Sequence, residues 1–136
     1  MNTPVKTTVS IVTTALWITL SEFVRNELLF KSYWTNHYQS LGLEFPSEPV
    51  NGMLWGLWSL VFAGYMFIIS RGFSFRASVG ISWISGFVLM WLVIGNMGVL
   101  PIGILTFAVP LSILEVLVAQ LIIRKISPFS VERDAK

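Results

Sequence analysis

Glu22, Arg25 and Asn26 stand three and four positions apart in the stretch SEFVRNELLF, where a hydrophobic run is still in progress. On a helix those spacings make the three side chains neighbours on one face, and Thr19 continues that face. An acid beside a guanidinium neutralises itself, the least costly way to carry charge into hydrocarbon. A second acid, Glu115, shares a face with Ala108, Ser112 and Ala119 and lies nine residues before Arg124, roughly 13 Å along a helix. At that depth a carboxyl is costly against lipid, so it is expected to face the protein interior, where it is protonated, paired or beside water. Pro110 removes one N–H from the same helix and displaces the carbonyl of Thr106, which predicts a kink. Such a kink opens a polar cavity or serves packing.

Counted back from Phe30, Glu22 lies about 12 Å below one end of its span, and Glu115 lies a similar distance from the opposite end of its own. The two acids are therefore expected at staggered heights, as stations of a polar path with Thr19, Thr106 and Ser112 between them. If the first helix stops near Leu20, the same cluster is the cap of a shorter span. Glu27 points elsewhere and is expected to be solvated.

The elements that must position these groups follow from composition. The chain has 136 residues, 54% hydrophobic and only 12% charged, with six Trp and ten Phe. A soluble domain carries about 25% charged residues, so the solvent is lipid. A hydrocarbon core about 30 Å thick needs about 20 apolar residues, and four stretches supply them, at 9–30, 50–70, 77–96 and 101–123. The expectation is an all-α, polytopic membrane protein: one four-helix transmembrane domain, an outer loop at 31–49 and a polar tail at 127–136. Ser47 is placed to cap the second helix, with Pro49 in its first turn. The turn Asn96-Met97-Gly98 makes the last two helices an antiparallel hairpin. The first span lacks the small-residue cleavage site of a secretory leader.

Lys6, Arg71, Arg76, Arg124, Lys125, Arg133 and Lys136 are seven of the nine basic residues and fall on one side of the four-span arrangement. The positive-inside rule then places both termini in the cytoplasm, in the plasma membrane, with 31–49 outside. Tyr33, Trp34, His37 and Tyr38 in that loop are expected along the headgroups. Helix contacts in lipid rely on small residues. Gly52, Gly56 and Ser59, continued by Ala63, and Ser78, Ser82 and Gly86 form two such seams, with Trp, Phe and Leu turned to lipid.

Several chemistries are excluded. With no cysteine there is no disulfide, thiolate metal site, Fe–S cluster or Cys nucleophile. One histidine, His37, provides no multi-histidine metal or haem site, and a cation site joining it to Glu44 and Glu48 is unspecific. No phosphate-binding loop, nucleophile elbow or H-E-x-x-H pattern is present. The net charge of +2 is explained by topology, not by a basic cluster for nucleic acid. No cofactor is expected; the partners are the bilayer and either further copies of the chain or a membrane complex. In length, number of helices and an acid in the first helix, the chain resembles the small multidrug resistance transporters, whose membrane Glu exchanges protons for cationic drugs in a dimer. The resemblance is architectural, and Arg25, within a turn of Glu22, departs from it because a cation there weakens attraction for both protons and cationic substrates.

Three functions fit these residues. The leading one is a homo-oligomeric transporter or channel for a small solute or ion, with Glu115 titrating and Glu22, Arg25 and Asn26 forming an outer gate. An accessory subunit of a larger membrane complex is the alternative. A lipid-binding or lipid-modifying enzyme is third, and no nucleophile or metal set supports it.

Overall fold

The computed structural model describes residues 3–128, all of whose regular structure is helical. Four long helices, α1 (Thr3–Leu29), α3 (Pro49–Gly72), α4 (Phe75–Asn96) and α5 (Ile102–Ile126), are long and apolar enough to cross a membrane. A short helix, α2 (Lys31–Ser40), lies between the first two. At 1.5 Å per residue even the shortest, the 22 residues of α4, exceeds a hydrocarbon core of about 30 Å. The basic residues Arg133 and Lys136, and most of the tail at 127–136, lie outside the described residues.

Local chemistry explains the ends. Pro49 opens α3 with its fixed φ, where a missing N–H costs nothing, and Glu48 rather than Ser47 is the extended residue before it, with no side-chain cap. Ser74 caps α4 by accepting from the Ala77 amide. Gly98 turns the chain between α4 and α5 at φ +74°, a region that favours glycine. α5 begins with a tight 3₁₀ turn, Ile102–Ile104, after Pro101.

Side-chain contacts set the packing. Tyr65 meets Ser85, and Gln120 meets both Met66 and Ser82. Together with Arg124 beside Ser70 and Ser78, they make α3 parallel to α5 and antiparallel to α4. α1 runs against α5, with Trp17 and Ser21 both on Glu115. α1 and α4 each pack on α3 and α5. The main core joins Ile18 of α1, Phe62 and Met66 of α3, Phe87 of α4, and Val116 and Ile123 of α5. A second core, Phe30, Leu100, Ile104 and Ala108, closes the end of the bundle that carries α2.

The two small-residue seams fare differently. Ser78, Ser82 and Gly86 are buried, and a Cβ on Gly86 would collide with the Phe62 ring, so glycine here permits a close approach. On α3, Ser59 and Ala63 are buried. Gly52 and Gly56 are not in a contact seam of this bundle, because a Cβ on either would meet nothing within 4 Å. The buried residues of α3 begin only at Ser59, with Trp58 beside it packing on the core.

Two further expectations are corrected. The aromatic residues are not simply lipid-facing: Phe62 and Phe87 are buried, and Trp17, Trp58, Trp83 and Trp91 pack against the core. Indole N–H groups seek acceptors, and in hydrocarbon the acceptors are inside the protein. The stretch 31–49 is not all loop, since α2 takes up 31–40. Its helical spacing places Trp34 and Tyr38 beside each other on Phe45, with ring centroids 6.1 and 5.3 Å away. That contact and the Trp34 indole bond to Asn26 turn Trp34 toward the protein rather than along headgroups.

Candidate functional site

The last turns of α1, Val24–Leu29, widen into a π-helix, with the Phe30 amide donating to the Arg25 carbonyl at 2.9 Å. Such one-turn π segments recur at functional sites. Here the buried stripe of α1, running through Thr14, Ile18 and Glu22, ends in Arg25, which is only 5% exposed.

Arg25 is shared by two carboxylates. Its Nη2 bonds Glu22 Oε1, and its Nη1 lies 3.3 Å from Oε2 of Glu115, on α5. The guanidinium carbon also stands 4.9 Å from the centre of the Phe87 ring of α4, an attractive cation–π contact. Glu22 is 6% exposed and Glu115 1%. An isolated charge in such a place is very costly, and mutual pairing with further hydrogen bonds is what makes it tolerable.

Those further bonds are present. Asn26 donates Nδ2 to Glu22 Oε2 at 2.7 Å, and its own Oδ1 accepts from the Trp34 indole at 3.1 Å. Ser21 donates to Glu115 Oε2 at 2.7 Å, and the Trp17 indole donates to the Glu115 backbone carbonyl at 3.0 Å. Oε1 of Glu115 has no hydrogen-bond partner among the described residues. The cluster therefore holds two acids, one base and one open acceptor.

Glu22 and Glu115 are thus not staggered stations but parts of one cluster at one height. The helices do not end level: Phe30, next to the end of α1, packs with Ile104 and Ala108, inside the start of α5. Glu22, Arg25, Asn26 and Glu115 come together. Thr19 does not: it is exposed, because residues two apart on a helix of 3.6 per turn point nearly opposite ways and Ser21 is the one facing α5. Thr106 and Pro110 are exposed as well, so neither lines an interior path.

Ser112 is buried but engaged elsewhere, accepting from the Trp83 indole at 2.9 Å and donating to the Val109 carbonyl at 2.8 Å. It ties α4 to α5 one turn from the cluster. Glu27 pairs with Lys31 at 2.6 Å at the surface. His37 meets the Gly98 carbonyl at 2.7 Å, holding α2 over the α4–α5 turn. Among the described residues no three His, Asp or Glu side chains gather as metal ligands.

Sequence reasoning missed Ser21, Trp17, Trp34 and Phe87. Ser21 was legible as a polar residue one position from Glu22; the aromatic contributions depend on interhelical register. Comparison of the chain with models of protein families, with curated proteins and with solved structures found no match.

Proposed function

We propose that this protein is a small transporter or channel that works as a homo-oligomer in the plasma membrane, with the Glu22–Arg25–Glu115 cluster as its proton-carrying site. The observation that carries this reading is the shared guanidinium. One Arg faces two carboxylates from different helices, and both acids cannot be balanced by it. A proton or a small cation supplies the missing charge, and its arrival or departure changes the attraction between α1 and α5. That is the coupling a transporter needs between ion occupancy and helix position. Asn26 and Trp34 hold Glu22 on the α2 side and act as the gate there.

Four helices packed around two apolar cores leave little space for a solute route through one copy, so at least two copies surround the pathway. The outward Gly52 and Gly56 of α3 suit a close helix contact with another chain. The same glycines also favour the alternative reading, an accessory subunit seated on a different membrane protein. The distribution of Lys and Arg supports a cytoplasmic side for both termini.

Reconstitution tests the reading without knowledge of the solute. In vesicles holding a pH-sensitive dye, a potassium diffusion potential drives proton entry through the native protein. Glu115→Gln abolishes that entry while the protein remains folded and of unchanged oligomeric mass. Proton entry at the native rate in Glu115→Gln overturns the transporter reading, and a native mass containing a second kind of chain establishes the accessory one.

A further inference from the structure

Buried polar side chains are unevenly distributed along the bundle. Beyond the cluster toward α2 the interior is the apolar set Phe30, Leu100, Ile104 and Ala108. Toward the Arg124 end it holds Ser10, Thr14, Ser78, Ser82 and Gln120, all fully buried. Some of these are bonded: Gln120 donates Nε2 to Ser82 Oγ at 3.2 Å, and Arg124 reaches Ser78 Oγ at 3.4 Å and the Phe73 carbonyl at 2.8 Å.

Others are not. Ser10 Oγ, Thr14 Oγ1 and Gln120 Oε1, like Oε1 of Glu115, have no hydrogen-bond partner among the described residues. A helical Ser or Thr ordinarily bonds the carbonyl one turn back, as Thr7 and Thr8 do on this same helix. Ser10 and Thr14 forgo that bond although both are fully buried, where a hydroxyl left without any partner is costly. Spacings of four and seven put Ser10, Thr14 and Ser21 on one stripe of α1, and Ser21 is the residue that bonds Glu115. Counting 1.5 Å per residue from the Trp17–Glu115 contact, Thr14 and Gln120 fall at about the same level, and Ser10 falls near Arg124. Along the bundle axis the unpartnered groups therefore lie at roughly 4–8 Å (Thr14, Gln120) and about 10 Å (Ser10) from the level of the carboxylate, descending toward the basic end of the bundle.

We infer that water threads the bundle from the Arg124 end to Glu115, making a one-sided proton conduit along Ser10, Thr14 and Gln120 that ends at the cluster. Each orphan atom needs a partner, and water bridging polar groups at this spacing is the partner that also carries protons. On the α2 side the polar groups next to the cluster, Asn26, the Trp34 indole and Ser112, are bonded to protein partners, and among the described residues no unpartnered buried atom continues the file beyond Arg25, so protons reach Glu115 from one face only. This inference rests on the proton-carrying reading of Glu115 but is tested independently of it.

The chain has no cysteine, so single thiols report accessibility without background. Thr14→Cys, Ser10→Cys and, as a control buried in the apolar half, Ala108→Cys are placed in sealed vesicles in one orientation and exposed to Ag⁺. Ag⁺ is small enough to follow water and reacts with thiolate, which a dry apolar site suppresses. Thr14→Cys and Ser10→Cys are expected to react at least about tenfold faster than Ala108→Cys, and faster from the Arg124 side than from the α2 side. Equal slow reaction at all three positions overturns the conduit, and equal rates from both sides overturn its one-sidedness. Repeating the measurement in Glu115→Gln separates the two ideas: lost proton entry with retained Ag⁺ access leaves both standing. Retained proton entry sinks the proton-carrier reading, whatever the thiols report.

Discussion

The half of the bundle toward Arg124 and the half toward α2 are built from the same four long helices but bury different things. The α2 half closes on Phe30, Leu100, Ile104 and Ala108, a set that needs no hydrogen bonds. The Arg124 half buries Ser10, Thr14, Ser70, Ser78, Ser82 and Gln120, a set that lipid cannot satisfy. The charged cluster sits at the boundary between them. A plug on one side of a buried acid and polar steps on the other is the asymmetry expected of a site with access from a single face.

The largest expected effect comes from removing the charge at the boundary. Arg25→Met leaves Glu22 and Glu115 buried with no cation and is expected to cost about 3–5 kcal/mol, read as a lower midpoint of unfolding in detergent micelles. Adding Glu22→Gln to Arg25→Met restores part of the loss; no restoration would mean that Arg25 acts through packing on Phe87 alone.

Next comes the plug. Ile104→Ala opens a void beside Phe30 and Leu100 and is expected to cost about 2–4 kcal/mol by the same melt, without raising thiol access at Thr14→Cys. A stability change under half a kcal/mol would show that the apolar half is not tightly packed.

The polar half predicts a different signature. Gln120→Leu loses its bond to Ser82 Oγ but also removes an unpartnered acceptor, so stability shifts by no more than about 1 kcal/mol while proton entry falls. A variant with a native proton rate would argue that Gln120 packs and does not conduct. The smallest effect is at the surface, where Lys31→Ala breaks the partly exposed pair with Glu27 and is expected to change stability by less than about 0.5 kcal/mol.

Much of this was legible in the residues. Glu115 shares a helical face with Ala108, Ser112 and Ala119, and all four are buried. Glu22, Arg25 and Asn26 are bonded neighbours, as their spacing predicts. Thr19 was misplaced because spacings of three and four define a face only to within about a third of a turn, and Ser21 lies on the side that meets α5. Gly52 and Gly56 match a packing motif, yet a motif marks ability to approach and does not name the partner. Trp34 was expected at headgroups because amphipathic rings favour interfaces; a buried amide acceptor on Asn26 competed better.

Composition and periodicity by themselves determined that the chain forms four apolar helices of membrane length and that its few interior charges must find partners, because both follow from the cost of exposing polar groups to hydrocarbon. Only the tertiary structure decided which partners they find. Two carboxylates 93 positions apart share one guanidinium because helix ends are not level and interhelical register is set by packing among many side chains at once.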